Sequence, residues 1–287
     1  MTSYRFSASE LREIDEANAS GRTPVVFVHG LWLLNSSWDR WAAYFATAGY
    51  APVRPRWPED PATVQEARRR PDIFAGKGIG DVVRYQEALI ARLDVKPAIV
   101  GHSFGGLLVQ MLAGRGRSAV TIAIDPAPSR GVLPLPIPAL RASAPVLRNP
   151  ANARKAVTLT YEQFRYGFAN ALLEAEARDV YEHYHVAGSG KPVFQAAFAN
   201  LDPWTEAKVD ATTTARGPLL VISGERDHQV PPAIARATYQ RQARNPAVTE
   251  YVEIPGRGHS LTIDSGWEAV AEAALAFVQR YAPAKAK

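Results

Sequence analysis

Gly101-His-Ser-Phe-Gly105 carries the sharpest chemistry in the chain. A short apolar run, Ala98-Ile-Val100, leads into it, and a helix-like run from Leu107 to Ala113 leads out. This is the G-x-S-x-G spacing of a tight strand-to-helix turn. Side chains two residues before and after the serine would collide with neighbouring backbone, which explains glycine at 101 and 105. Such a turn holds Ser103 Oγ out at the carboxyl end of a sheet. It also places the Phe104 N–H at a helix N-terminus, where backbone donors are unsatisfied. A hydroxyl so placed is a nucleophile for acyl transfer, provided a base takes its proton. The chain has no cysteine, which excludes thiol nucleophiles, disulfides, thiolate metal sites and iron–sulfur clusters.

The elements needed to position that serine are legible. Short β-branched runs alternate with helical patterns: Val25–Val28, Ala51–Arg54, Ala98–Val100, Ala119–Ile124, Leu219–Ile222 and Glu250–Ile254. Continuous apolar strands separated by helices imply an α/β fold, with a mostly parallel sheet of about six strands flanked by helices. Helices are expected over Ser9–Ala19, after Ser37 as a cap, over Asp81–Leu93, over Leu107–Ala113, over Pro232–Gln242, and from a Ser265/Glu268 capping box to about Tyr281. The alternation breaks between Pro126 and about Trp204. There a proline-rich stretch is followed by helical segments rich in Tyr and Phe, too aromatic for a structureless loop. Residues 126–205 are expected to form a helical cap inserted into a core made of 1–125 and 206–287. The Lys285–Lys287 tail is expected to be disordered.

The 287 residues have ordinary globular composition, 47% hydrophobic and 21% charged, with a net charge of +5. Only seven of the 33 basic residues are lysines, a bias that points to a GC-rich bacterial genome. The densest basic run, Arg68-Arg69-Arg70, is too short for a nucleic-acid groove and is expected to be a solvated helix end. No signal peptide or spanning segment is visible, so a cytoplasmic protein without membrane or nucleic-acid partners is expected. Oligomeric state is not legible.

Taken together, the motifs resemble those of the α/β-hydrolase superfamily over about Thr23 to Tyr281. His29-Gly30-Leu31-Trp32 is similar to the family's oxyanion loop, which implies that the Leu31 N–H joins that of Phe104 as an oxyanion donor. Gly224-Glu-Arg-Asp227-His-Gln-Val-Pro231 resembles its acid loop and implies Asp227. Gly256-Arg-Gly-His259 resembles its terminal histidine loop and implies His259 as the base. The order Ser103, Asp227, His259 is the family order. The segment before the first strand looks helical where many members have a hairpin, which favours a trimmed, six-stranded, all-parallel sheet.

Asp125 also ends a strand and is the alternative triad acid. His29 is expected to orient its loop, and His102 to pack or line the pocket. Trp32, Trp57, His102 and Trp204 are candidate substrate-binding residues. His183 and His185 lie on different sides of a helix and make no metal site. Asp264 is expected at a helix N-terminus. The resemblance implies a serine hydrolase that needs no cofactor or metal and acts on a small-molecule substrate. Carboxylic esters are the first expectation. Lactones, amides and the perhydrolase chemistry of cofactor-free haloperoxidases use the same triad, and a non-catalytic ligand-binding protein could share the scaffold.

Overall fold

The computed structural model describes residues 4–284, so the Lys285–Lys287 tail lies outside the described residues. Six strands form one all-parallel sheet: β1 (Pro24–Val28), β2 (Ala51–Val53), β3 (Ala98–His102), β4 (Val120–Ile124), β7 (Leu219–Gly224) and β8 (Thr249–Ile254). Their spatial order is β2-β1-β3-β4-β7-β8. The chain runs outward from β1 to β2, then returns to β3 and runs the other way, so the order reverses between β1 and β3. Clefts in open parallel sheets form at such a reversal, beyond the carboxyl ends of the strands.

Side-chain alternation sorts each strand between two helical layers. Val26, Val28, Ile99 and Ala123 face a cluster with α1 (Ala8–Ser20), α4 (Ile79–Ile90) and α5 (Phe104–Gly114). Val25, Phe27, Val100 and Ile122 face α2 (Asp39–Thr47) and α11 (Trp267–Tyr281). On that second face Phe27 packs against Trp38 and Phe45, with ring centroids 5.4 and 5.3 Å away. Burying each such side chain contributes about 1.5–3 kcal/mol.

The helices fall where periodicity places them, but their caps differ. α1 begins with Ser7 and Glu10 in a reciprocal capping box. Ser37 does not cap α2. It sits inside a short 3₁₀ turn (Asn35–Trp38) and its hydroxyl donates to Leu34 O at 2.7 Å. Ser265 and Glu268 form no capping box either. The N-cap of α11 is Gly266, while the Ser265 N–H donates to Glu176 in the 126–205 stretch. α10 spans Pro232–Gln242 as expected.

The 126–205 stretch holds α6 (Ile137–Leu147), α7 (Tyr161–Gly167), α8 (Glu174–Tyr184) and α9 (Lys191–Ala197). It also holds a short antiparallel pair, β5 (Ala156–Val157) with β6 (Gly188–Ser189), that no periodicity announces. Arg68, in α3 (Val64–Arg69), is not simply solvated. Its guanidinium donates to the carbonyls of Tyr181, Glu182 and His185 and so satisfies the orphan carbonyls at the end of α8.

Candidate active site

Ser103 follows β3 directly and precedes α5, with φ +58° and ψ −121°. Few non-glycine residues adopt that backbone, and strain of this kind clusters at functional sites. The surroundings over-determine it. The Ser103 N–H donates to Ile124 O at 2.9 Å, and Ser103 O accepts from the Ala127 N–H at 2.9 Å. A Cβ at Gly101 would strike the Gly105 carbonyl, and one at Gly105 would strike the Val28 carbonyl. The two glycines therefore let the elbow sit between β1 and its own helix.

The His29–Trp32 loop lies across the reversal point. A Cβ on Gly30 would come within 2.8 Å of Ser103 Cβ and 3.3 Å of the Phe104 nitrogen. Only glycine lets the backbone at position 30 approach the Ser103–Phe104 turn so closely. His29 Nδ1 lies 2.9 Å from Gly30 O. A carbonyl only accepts, so Nδ1 carries the proton. In a planar trans peptide the carbonyl and the following N–H point opposite ways. Holding Gly30 O thus fixes the aim of the Leu31 N–H.

His29 is itself held from behind. Trp57 stacks on its ring, with centroids 5.8 Å apart, and donates from Nε1 to His29 O at 3.1 Å. Asp60 Oδ2 lies 3.6 Å from His29 Nε2, and Asp60 Oδ1 accepts from Lys77 Nζ at 2.7 Å. All three side chains are buried. Burial, aided by the Lys77 charge, pushes the His29 imidazole down to about 4. Burial pushes Asp60 up to about 6 although Lys77 pulls it down. The ring is therefore neutral and Asp60 pairs with Lys77, not with His29.

His259 Nδ1 and Asp227 Oδ2 are 2.6 Å apart, and neither side chain has any exposure. Asp227 Oδ1 accepts the N–H groups of Gln229 and Val230 at 2.7 and 2.8 Å, which fixes the carboxylate before α10 begins. The acid and histidine loops are laced together through the Arg226 N–H, which donates to Arg257 O at 2.8 Å. Arg257 pairs in turn with buried Asp264, which also accepts from the Gly266 N–H at the start of α11. His259 Nε2, on the ring edge away from Asp227, is buried and has no hydrogen-bond partner among the described residues. Such contacts often tighten only when substrate is bound.

Asp125, with φ +40°, stands beside this pair. Its Oδ1 accepts the Gly224 N–H at 2.8 Å. His102, Asp125 and His259 each bring a donor atom within 4.8 Å of the others. Burial, then the neighbouring Asp227 charge, push the Asp125 carboxyl well above the usual carboxylate range. Its geometry does not make it the partner of His259 Nδ1, which is engaged by Asp227. His102 is buried against the His259 ring, with centroids 4.5 Å apart, and is kept neutral by burial and by that neighbour. It packs against the His259 ring.

The 126–205 stretch closes over this arrangement. Phe168 meets the His259 ring edge to face at 4.7 Å, and its carbonyl accepts the Ser260 N–H at 3.0 Å. Trp32, buried on the His29–Trp32 loop with φ +64°, donates from Nε1 to Val157 O at 3.0 Å and accepts the Val186 N–H at its carbonyl. Ser103 is 4% exposed. The cavity bordering Leu31, Trp32 and Trp57 measures only about 10 Å³. A cavity of about 720 Å³ lies elsewhere, along Met111, Trp204, Arg241 and Arg244. Trp204 is therefore misplaced as a substrate-pocket wall. It is 87% exposed and borders that other cavity, because residues 198–205 run over the outside of the stretch. His183 is exposed and His185 buried, on different sides of the end of α8. Phe168, Asp60 and Lys77 had no local signal, since each meets its site across a long sequence separation.

Comparison with known proteins bears on the family and the fold. The model of the alpha/beta hydrolase family matches residues 25–273. Alpha/beta hydrolase domain-containing protein WAV2 of Arabidopsis thaliana is 36% identical over 106 residues, 36% of this chain and 33% of that protein. The matched part thus spans about a third of the length of that relative. The monoacylglycerol lipase of Paleococcus ferrophilus superposes with a TM-score of 0.64 at 19% identity, covering 91% of this chain and 98% of that one. A Mycobacterium tuberculosis protein named as a non-heme bromoperoxidase, BpoC, gives 0.66 at 20% identity, covering 92% and 93%. At these identities the two likenesses are of fold. With the family match running from β1 into α11, the chain belongs to the alpha/beta hydrolase family.

Proposed function

We propose that the protein is a serine hydrolase that cleaves carboxylic esters of small to medium apolar substrates through an acyl-enzyme. The observation that carries this reading is the fully buried His259–Asp227 pair at 2.6 Å, set beyond the same sheet edge as the strained Ser103. Nδ1 donates to the carboxylate, which leaves Nε2 as the lone-pair nitrogen. His259 Nε2 takes the Ser103 proton as Oγ attacks the ester carbonyl, and Asp227 stabilises the imidazolium. The Leu31 and Phe104 N–H groups receive the oxyanion. Loss of one such donor typically costs about 10²–10³ in rate. The imidazolium returns the proton to the leaving alcohol. Water, deprotonated by the same nitrogen, then releases the acid and restores Ser103.

The test is turnover of acyl esters of graded length, lactones and amides by wild type and Ser103→Ala, with labelling by a fluorophosphonate. Labelled wild type, inert Ser103→Ala and a preference for esters are expected. Unchanged ester turnover in Ser103→Ala would overturn the reading.

A further inference from the structure

Of the nine large apolar residues that are exposed among the described ones, seven fall in two short segments, 133–140 and 198–204. The segments are laced side by side. The Gly131 N–H donates to Asn200 Oδ1 at 2.6 Å, Asn200 Nδ2 donates to Val132 O at 2.9 Å, and Arg130 Nη1 donates to Pro203 O at 2.8 Å. Their apolar side chains therefore belong to one surface, not to scattered positions.

The first segment reads Leu133-Pro-Leu-Pro-Ile-Pro138. Leu133, Leu135 and Ile137 are exposed, Ile137 at 80%, while Pro134 and Pro136 are half-buried. An extended chain alternates its faces, and here the large apolar side chains take the outer face. Pro136, with φ −62° and ψ 143°, holds the extended form. Proline locks φ, so the ridge loses little conformational freedom when something covers it. Leu201 and Trp204, at 79% and 87%, continue the surface on the second segment.

The charge around it is predominantly positive, with Asp202, Glu206 and Asp210 as the acids among the basic groups. From 127 to 161 the chain has Arg130, Arg141, Arg148, Arg154 and Lys155 and no Asp or Glu. On one side Trp204 shares a cavity with Lys208, Arg241 and Arg244. On the other, Phe198 shares one with Arg154 and Lys191. Among the described residues, Arg154, Lys208, Arg241 and Arg244 make no ion pair. An apolar ridge with an exposed tryptophan and a rim of free cations is complementary to an anionic lipid surface: the ridge enters the acyl boundary and the rim meets the headgroups.

We propose that this ridge docks the protein onto membranes or lipid aggregates that carry anionic headgroups. No helix among the described residues is long and apolar enough to cross a membrane, so the contact is peripheral. It is independent of the catalytic reading, because it uses no residue placed at Ser103.

The test is co-sedimentation with phosphatidylcholine vesicles, with and without phosphatidylglycerol, and tryptophan emission on the same mixtures. Wild type and Ser103→Ala are expected to bind the phosphatidylglycerol vesicles alike. Their emission should shift to the blue, the shift should vanish in Trp204→Phe, and salt should weaken binding. Leu135→Ser with Ile137→Ser should bind at least about tenfold more weakly. Both side chains are exposed, so thermal unfolding should stay at wild-type temperature. No binding, equal binding by the double variant, or equal binding to both vesicle types would overturn the proposal. So would self-association in the absence of lipid that the double variant abolishes, since the ridge would then be an interface between copies.

Discussion

Asp125 Oδ1 accepts the Gly224 N–H at 2.8 Å, so the acid at the end of β4 is fastened to the strand that carries Asp227 into the site. Two acids thus serve one imidazole in different ways. Asp227 is the hydrogen-bond partner of His259 Nδ1, and Asp125, its carboxyl held well above the usual carboxylate range by burial and then by Asp227, is its neighbour. Asp227→Asn should lower kcat on esters by about 10⁴, because an amide holds the wrong imidazole tautomer. Asp125→Asn removes a carboxyl already biased towards its neutral form, keeps the acceptor for Gly224 and should stay within about tenfold of wild type. Steady-state ester kinetics on the two variants decide this. The reverse ranking would make Asp125 the triad acid.

In the proposed mechanism His29 acts at one remove, through the peptide that carries the Leu31 N–H, because its Nδ1 lies 2.9 Å from Gly30 O. His29→Ala frees the Gly30 carbonyl and loosens the aim of that donor. The expected loss in kcat is bounded by the roughly 10²–10³ of a deleted oxyanion donor. KM should change little, since the ground-state carbonyl depends less on that donor. A loss confined to KM would mean that His29 shapes substrate binding instead.

The sheet, its six strands and the motif at each strand end were legible because they are local. A parallel strand announces itself by a continuous apolar run, and Gly101, Gly105 and Gly30 are demanded by close backbone approach. Ser103, Asp227 and His259 each sit in a loop with its own spacing. The buried Asp60–Lys77 pair, Phe168 against His259 and Arg68 at the end of α8 were not legible. Each is made by residues that meet only after the chain has folded, and nothing in a five- or ten-residue window marks them. Trp204 was misread for the same reason: a tryptophan after an aromatic stretch looks like a pocket wall until its exposure is known. Ser37 and Ser265 looked like caps but spend their donors elsewhere.

Contacts that tie the 126–205 stretch over the site include Trp32 Nε1 to Val157 O and the Ser260 N–H to Phe168 O. With Ser103 4% exposed, this cover is expected to open before an ester reaches Oγ. Trp32→Phe keeps the ring and its packing on Phe168 but removes one hydrogen bond, worth about 1 kcal/mol. The open form should gain about fivefold in population, and labelling by a bulky fluorophosphonate should speed up by the same factor. A slower or unchanged labelling rate would show that Trp32 does not hold the site closed.

His185 gives the fold a dependence on pH whose sign can be worked out. Its ring is buried, stacked on Tyr181 with centroids 4.6 Å apart, and its Nε2 has no partner among the described residues. Burial, aided by the Arg68 charge, lowers its pKa from 6.5 to about 3. Between those values the unfolded chain binds a proton that the folded chain refuses. The stability contributed by the neutral ring is whole above about 6.5 and is lost as the pH falls, at about 1.4 kcal/mol per pH unit. His29 and His102 act with the same sign. Asp60 and Asp125 act with the opposite sign, because their raised values make the folded state bind the proton more tightly. The total slope therefore mixes both, and His185 must be isolated by difference. His185→Phe keeps an aromatic ring against Tyr181 and has nothing to titrate. In urea denaturation, the variant should gain steadily on wild type as the pH is lowered from about 7 to about 4. A stability difference that stays constant over that range would mean that His185 is not held neutral in the folded protein.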